Sequence, residues 1–331
     1  MKSRHLVFSR FGPPRAVLKL EPFESRELQD DHVLLAIQAA PINPADLNLI
    51  EGTYGTKPSL PATAGIEGFA KVLESRSGRF NPGDAVIPIK HIGTWADHAV
   101  AHEQDLIRIP REIDPLQAAM LRVNPATAHL LLTHFEALQP NAWVTLNAAN
   151  SGVGQCVIQL ARHHGIRTLC FLRNLALAPH LRALGATAVF TDSAAGLADA
   201  TDFLGKERPG LAFNAVGGDS ALRLMKLLAT SGTLITYGAM ARKPLTVPNR
   251  PLIFNDIRLR GLWVTQWIRQ ASHEAIQETY SGLADLVVAG KLHQAIDTTF
   301  DLAEFSQAFE RIDAPERMGK ILFAIGRDPN V

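Results

Sequence analysis

The sequence predicts an α/β protein: a doubly wound parallel sheet joined to a strand-rich, partly barrel-shaped domain. Three observations predict it. From about residue 122, short apolar runs alternate with helical patterns, the mark of a parallel sheet covered on both faces. The first 120 or so residues instead read as short strands broken by Pro, Gly, Asn and Asp. A glycine turn, TLNAANSGVGQ (145–155), separates the first strand-like run of the alternating region from its first helical one.

Each element follows in order. HLVFSRF (5–11) reads as a first strand running into a Gly-Pro turn, and VLLAIQAAPIN (33–43), FAKVLES (69–75), DAVIPI (84–89) and DHAVAH (97–102) read as further strands. Then come strand WVTLNA (143–148), helix VGQCVIQLARHHG (153–165), strand TLCFL (168–172), helix APHLRALG (178–185) and strand AVFTD (188–192). AAGLADATDFLG (194–205) and SALRLMKLLATSG (220–232) are helical, and LAFNAV (211–216) and TLITYG (233–238) are strand-like. Helices over 273–290 and 302–312 precede a last strand, GKILFAI (319–325). This tail is too small to stand alone, so it is expected to pack on the first region. The expected domains are 1–121 with 266–331, and 122–265.

The 331 residues carry 47% apolar and 20% charged residues with a net charge of +1, which favours neither nucleic acid nor a membrane surface. No apolar run approaches the roughly 20 residues that span a bilayer, and the N-terminal segment lacks the apolar core of a secretory signal. The two cysteines, Cys156 and Cys170, lie in apolar runs without CxxC spacing, which fits a reducing compartment, and the cytoplasm is expected. The 12 histidines form no metal site: His98 and His102 sit four apart on a strand, about 13 Å at ~3.3 Å per residue. His163 and His164 point different ways on a helix, and His129 and His134 are poorly spaced.

Strand, glycine turn, helix is where the pyrophosphate of a dinucleotide sits. Gly152 and Gly154 let the backbone turn tightly, and N–H groups at the helix start meet the anion. The third glycine of the usual GxGxxG is replaced by Val157, which implies a slightly different helix placement. About 20 residues on, where an acid would bind a ribose 2′-hydroxyl, the chain reads FLRN. Arg173 there would pair with a 2′-phosphate, so NADPH is expected over NADH. Among the three tyrosines, Tyr54 lies between Gly52 and Gly55 in EGTYGTKP. Read from the residues alone, it is either a cap on an apolar edge or a reachable phenol.

INPADLNLIEGTYG (42–55), LPATAGIEG (60–68), VNPATAHLLL (123–132), NAANSGVGQCVIQLA (147–161), AVGG (215–218), TYGAM (236–240) and LRGLWVTQW (259–267) together resemble the zinc-free medium-chain dehydrogenase/reductase superfamily. Within it they are most similar to the NADPH-dependent trans-2-enoyl thioester (enoyl-CoA/ACP) reductases, whose best-known members are mitochondrial. The resemblance covers nearly the whole chain. It implies a Rossmann domain with a GroES-like catalytic domain, an acyl thioester substrate on coenzyme A or a carrier protein, and a homodimer. Where zinc-dependent relatives carry GHE, this chain has Gly65-Ile66-Glu67, and isoleucine cannot ligate zinc. By resemblance NADPH is held by Asn150, Ser151, Gly152, Val153, Gly154, Arg173, Tyr237, Gly238, Ala239, Met240, Leu262, Trp263 and Val264, with Asn124 and Lys320. The resemblance also makes Tyr54 the proton donor, with Asn43, Asp46 and Trp263 as pocket walls. Two other functions use the same scaffold, a zinc-independent quinone oxidoreductase and a non-enzymatic NADPH-binding protein.

Overall fold

The computed structural model describes residues 3–23, 27–314 and 317–326. In chain order, strands β1 (Arg4–Phe8), β2 (Leu18–Pro22), β3 (His32–Pro41), β4 (Ala62–Thr63), β5 (Phe69–Ser75), β6 (Ala85–Pro88), β7 (His98–His102) and β8 (Leu106–Arg108) make up the first part. Helices α1 (Pro14–Val17), α2 (Pro44–Glu51) and α3 (Pro115–Ala118) interrupt them. Then α4 (Asn124–Thr133), β9 (Trp143–Leu146), α5 (Gly152–His163), β10 (Arg167–Leu172), α6 (Ala178–Leu184), β11 (Ala188–Thr191), α7 (Ala194–Leu204), β12 (Leu211–Asn214), α8 (Gly218–Leu227) and β13 (Thr233–Thr236) alternate. After α9 (Asn249–Asn255), β14 (Arg258–Gly261) and α10 (Val264–Gln270), the chain ends with α11 (His273–Val288), β15 (Ile296–Phe300), α12 (Phe305–Asp313) and β16 (Lys320–Ala324).

The chain divides into two compact units, Met1–Val123 with Gln270–Val331, and Asn124–Arg269. In the first unit a seven-stranded sheet runs β15-β16-β3-β5-β6-β8, with β7 also paired to β3, and a three-stranded sheet runs β2-β1-β4. The path is open and does not close into a barrel. β3 alternates along its length, with Val33, Leu35, Ile37 and Ala39 buried, as a sheet with one covered face requires. The last strand returns to it: Leu322, Phe323 and Ala324 of β16 pair antiparallel with Pro41, Ala40 and Ala39. The core gathers Leu35, Ile37, Trp95, Phe309 and Phe323, with the Trp95 ring edge-on to Phe323 at 5.3 Å and to Phe309 at 6.0 Å.

The second unit is a six-stranded parallel sheet in the order β11-β10-β9-β12-β13-β14. All four residues of β9 are buried, as in a strand covered on both faces, and its one hydroxyl, on Thr145, donates to Leu169 O at 3.1 Å. The chain leaves β9 for β10 and β11 on one side and resumes at β12 on the other. That reversal opens a crevice at the carboxyl ends of the central strands.

Candidate active site

The glycine turn leaves β9 at its carboxyl end. Asn147 and Ala149 still hydrogen-bond to neighbouring strands, through Phe213 O at 3.2 Å and Phe171 O at 3.1 Å. Ala148 is then in the left-handed region at φ 46°, so the chain turns sharply before the helix. Ser151 caps α5, its hydroxyl accepting the Gly154 N–H at 3.2 Å, a standard use of serine at a helix start. A side chain on Gly154 would meet the carbonyl oxygens of Ala149 at 2.6 Å and Ala148 at 2.8 Å. One on Gly152 would run into the Asn124 side chain, which places Asn124 directly on the turn. Val157, where a third glycine is usual, is fully buried on the helix face with Cys156, Leu160 and Ala161.

The other expected cofactor residues of this unit gather at the same end of the sheet. Arg173 follows β10 and is exposed, while the neighbouring Asn174 turns back to accept the Ala176 N–H at 3.1 Å. Tyr237, Gly238, Ala239 and Met240 follow β13, with Tyr237 N–H on Asn214 O at 3.0 Å and Met240 N–H on Ala215 O at 2.9 Å. Leu262, Trp263 and Val264 follow β14, with Arg269 stacked 5.3 Å from the Trp263 ring. The buried Tyr237 hydroxyl lies beside the Ser151 side chain without a hydrogen bond of good geometry, and burial pushes its pKa well above the usual phenol range. That orphaned hydroxyl, the glycine cradle and the α5 N-terminus fit a phosphate-bearing dinucleotide.

One network at this edge escapes a reading of the sequence. The Asn147 amide donates to Asn214 Oδ1 and Ser220 Oγ, both at 2.8 Å, and accepts the Ala215 N–H at 2.8 Å. Asn214 accepts the N–H groups of Val216 and Gly217 and donates to Thr236 Oγ1 at 3.1 Å. Ser220 donates to Asp192 at 2.6 Å, and Arg223 pairs with the same carboxylate. The ends of β9, β11, β12 and β13 are thereby tied together by buried and half-buried side chains. The only local signal is a polar residue ending each strand.

The first unit carries Tyr54 and Lys320. α2 starts with a capping box: Asn43 at the cap, Pro44 at the first turn, and Asp46 Oδ2 accepting the Asn43 N–H at 2.8 Å. The pattern Asn-Pro-Ala-Asp signals a helix, which a strand reading through residue 43 passes over. α2 ends at Gly52 in the left-handed conformation, and the Thr53 and Tyr54 N–H groups both fold back to Asn48 O at 2.9 and 3.1 Å. Tyr54 is thus fixed just past a capped helix and is half-buried.

Beneath α2 lies a buried charged cluster. Asp46 Oδ1 accepts the Ile66 N–H at 2.7 Å; Glu67 accepts the Asn43 amide at 2.7 Å and the Val123 N–H at 2.8 Å. Lys320 donates to Ile42 O at 3.3 Å and to Asn43 Oδ1. Burial raises Asp46 to about 7 against the pull of those N–H groups and Lys320, and raises Glu67 as well. Zinc does not fit here. Ile66 offers no ligand atom, both Glu67 oxygens are engaged, and no group of three or more His, Cys, Asp or Glu among the described residues could hold a metal.

A parallel sheet of this strand order, with a glycine turn opening the helix after its first strand, defines a dinucleotide-binding protein. Residues 29–111 match the alcohol dehydrogenase GroES-like domain and residues 152–287 the zinc-binding dehydrogenase family, although the zinc of that description has no counterpart here. The chain is 40% identical over 326 residues to the mitochondrial enoyl-[acyl-carrier-protein] reductase of Xenopus tropicalis, covering 95% of this chain and 93% of that one. To the human enzyme of that name it is 40% identical over 315 residues, with 93% and 84% covered. A solved complex named Etr1p/NADP/crotonyl-CoA superposes with a TM-score of 0.87 at 28% identity, covering 98% of this chain and 100% of that one. The chain belongs to the enoyl-[acyl-carrier-protein] reductase family of the medium-chain dehydrogenase/reductase superfamily.

These relatives correct the cytoplasmic location expected from the sequence, since they are named mitochondrial. Two buried free thiols fit a reducing medium, and several compartments supply one. Among the described residues no helix is long and apolar enough to cross a membrane.

Proposed function

We propose that the protein reduces the α,β double bond of 2-enoyl thioesters with NADPH, acting as an oxidoreductase on CH–CH groups. The observation that carries this reading is the whole-chain relationship, 40% identity over 95% of the chain, to enzymes named for that activity. NADPH supplies the hydride that adds to the β-carbon. Asn150–Gly154 with Asn124 hold the pyrophosphate, Arg173 takes the 2′-phosphate, and Tyr237–Met240 with Leu262–Val264 line the nicotinamide half. The second unit is the cofactor domain and the first the catalytic domain. There Lys320 steadies Asn43 at the head of α2, in the position that the resemblance gives to a cofactor contact. Charge builds on the thioester oxygen and α-carbon as an enolate, and the Tyr54 hydroxyl provides the proton. The test is NADPH consumption against 2-enoyl thioesters on coenzyme A and on carrier protein, with quinones and NADH alongside. Turnover of quinones but not of enoyl thioesters would reject the reading, and silence with every acceptor would leave only a nucleotide-binding protein.

The protein assembles as a homodimer through the cofactor unit. Every residue of β14, the last strand of its sheet, is exposed, and α9 presents Ile253 and Phe254 at 69% and 75% exposure. An open strand edge beside exposed apolar side chains is a surface that a second copy would cover. Sedimentation is expected to give a dimer that Phe254→Glu converts to monomer; a wild-type monomer rejects the proposal.

A further inference from the structure

Two fully buried asparagines stand at the carboxyl end of the central strands, Asn147 just after β9 and Asn214 closing β12. A buried amide pair is costly, since apolar side chains of the same shape would fill the space without desolvating a polar group. What the pair provides is one arrangement out of many, because all its partners must be met at once. The arrangement it selects is that of the two loops leaving β12 and β13.

Asn214 Oδ1 accepts three hydrogen bonds, from Asn147 Nδ2 at 2.8 Å, the Gly217 N–H at 3.0 Å and the Val216 N–H at 3.1 Å. Its Nδ2 donates to Oγ1 of Thr236, the last residue of β13 and its partner in the sheet register, at 3.1 Å. A flipped amide would set its NH2 against those three donors, so only one orientation is open to it. Asn147 is locked in turn, accepting the Ala215 N–H and donating to Ser220 Oγ, both at 2.8 Å. Beyond the strands the two loops run side by side. Met240 N–H donates to Ala215 O at 2.9 Å and Ala241 N–H to Val216 O at 3.0 Å, and Gly217 forms a bridge with Lys243. Gly217 sits at φ 90°, and a side chain on it would meet Lys243 O at 2.7 Å, so the loops approach closely. The Tyr237 N–H joins the same residue, donating to Asn214 O at 3.0 Å. Among the described residues Arg173 and Asn174, after β10, take no part in this network; Asn174 accepts the Ala176 N–H instead.

We propose that Asn214 is a positioning residue for the nicotinamide half of NADPH, setting the Ala215–Gly217 and Tyr237–Met240 loops as one piece. The inference rests on the reading of NADPH as cofactor and of Tyr237–Met240 as a wall of its nicotinamide half. The Asn214 side chain, at 0% exposure, is out of a ligand's reach and acts only through those loops. Adenosine and its 2′-phosphate are left to the Arg173 side of the sheet. Loss of the amide should therefore reach one half of the cofactor and spare the other.

Titration calorimetry of Asn214→Ala with two ligands tests this. One is NADPH; the other is adenosine 2′,5′-bisphosphate, which has the adenine and the 2′-phosphate but no nicotinamide. NADPH is expected to bind about 10-fold more weakly, the order of one lost hydrogen bond to the cofactor. The bisphosphate should stay within about 2-fold of wild type, as for sites that do not share partners. An equal loss with both ligands overturns the inference, because Asn214 would then only hold the unit together, and so does unchanged binding of both. A wild type that does not bind NADPH sinks the cofactor reading itself. One that binds NADPH and not the bisphosphate sinks the division of the cofactor between the two sides, and the inference falls with either. If Asn214→Ala does not fold, Thr236→Val serves, since it removes only the acceptor on β13. It should weaken NADPH by about 3-fold and leave the bisphosphate alone, and equal changes with both ligands, or none, overturn the proposal.

Discussion

Tyr54→Phe is expected to bind NADPH as the wild type does and to lose about 10²–10⁴-fold in kcat, the usual contribution of a positioned proton donor. The change removes one oxygen and keeps the ring. The backbone that carries the residue is set by the Asn43–Asp46 capping box and by the Thr53 and Tyr54 N–H groups on Asn48 O. None of the residues proposed to hold NADPH is Tyr54, so the loss should appear in kcat with nucleotide affinity unmoved. An interaction used only as charge develops lowers kcat and kcat/KM together. Stopped-flow turnover beside a fluorescence titration of NADPH separates the two effects. A variant within a few-fold of wild type would remove Tyr54 from the chemistry.

Gly154→Ala should act the other way, weakening cofactor binding before any chemistry. The new methyl would lie 2.6 Å from Ala149 O and 2.8 Å from Ala148 O, and both belong to backbone held by β9 and its neighbours. The first turn of α5 must therefore shift, carrying with it the N–H groups proposed to meet the pyrophosphate. A displacement of about 1 Å in such a site costs roughly 100-fold, and overpacking adds about 1–3 kcal/mol of destabilisation. Gly282→Ala is the control. That glycine lies exposed in α11 with nothing within 4 Å of the added carbon, so alanine should stabilise by about 1 kcal/mol. Calorimetry and NADPH titration on both variants check the pair. Wild-type affinity in Gly154→Ala would mean that the turn does not hold the phosphates.

The α/β class was legible because its signals are local. TLCFL, AVFTD and LAFNAV each carry the apolar run of a buried strand, and the helices between them show a 3.6-residue rhythm, so neighbours in sequence suffice. SGVG was legible for the same reason, since a tight turn selects its own residues. α2 went unread although Asn43-Pro44-Ala45-Asp46 announces it, because an apolar strand pattern ran up to its cap. β14 went unread because Arg258, Leu259, Arg260 and Gly261 are all exposed and show no alternation.

By itself the sequence determined the strand–helix alternation and the glycine turn between the first strand and helix of that alternation; that Ile66 stands where zinc-dependent relatives carry a ligand is what the resemblance implies. Only the tertiary structure decided what stands around them. Asn147 meets Asn214 across 67 positions, and Arg122 reaches Ile66 across 56. A short-range pattern is set by dihedral preference and burial period, whereas a buried polar contact is chosen by which distant atoms arrive with unspent hydrogen bonds.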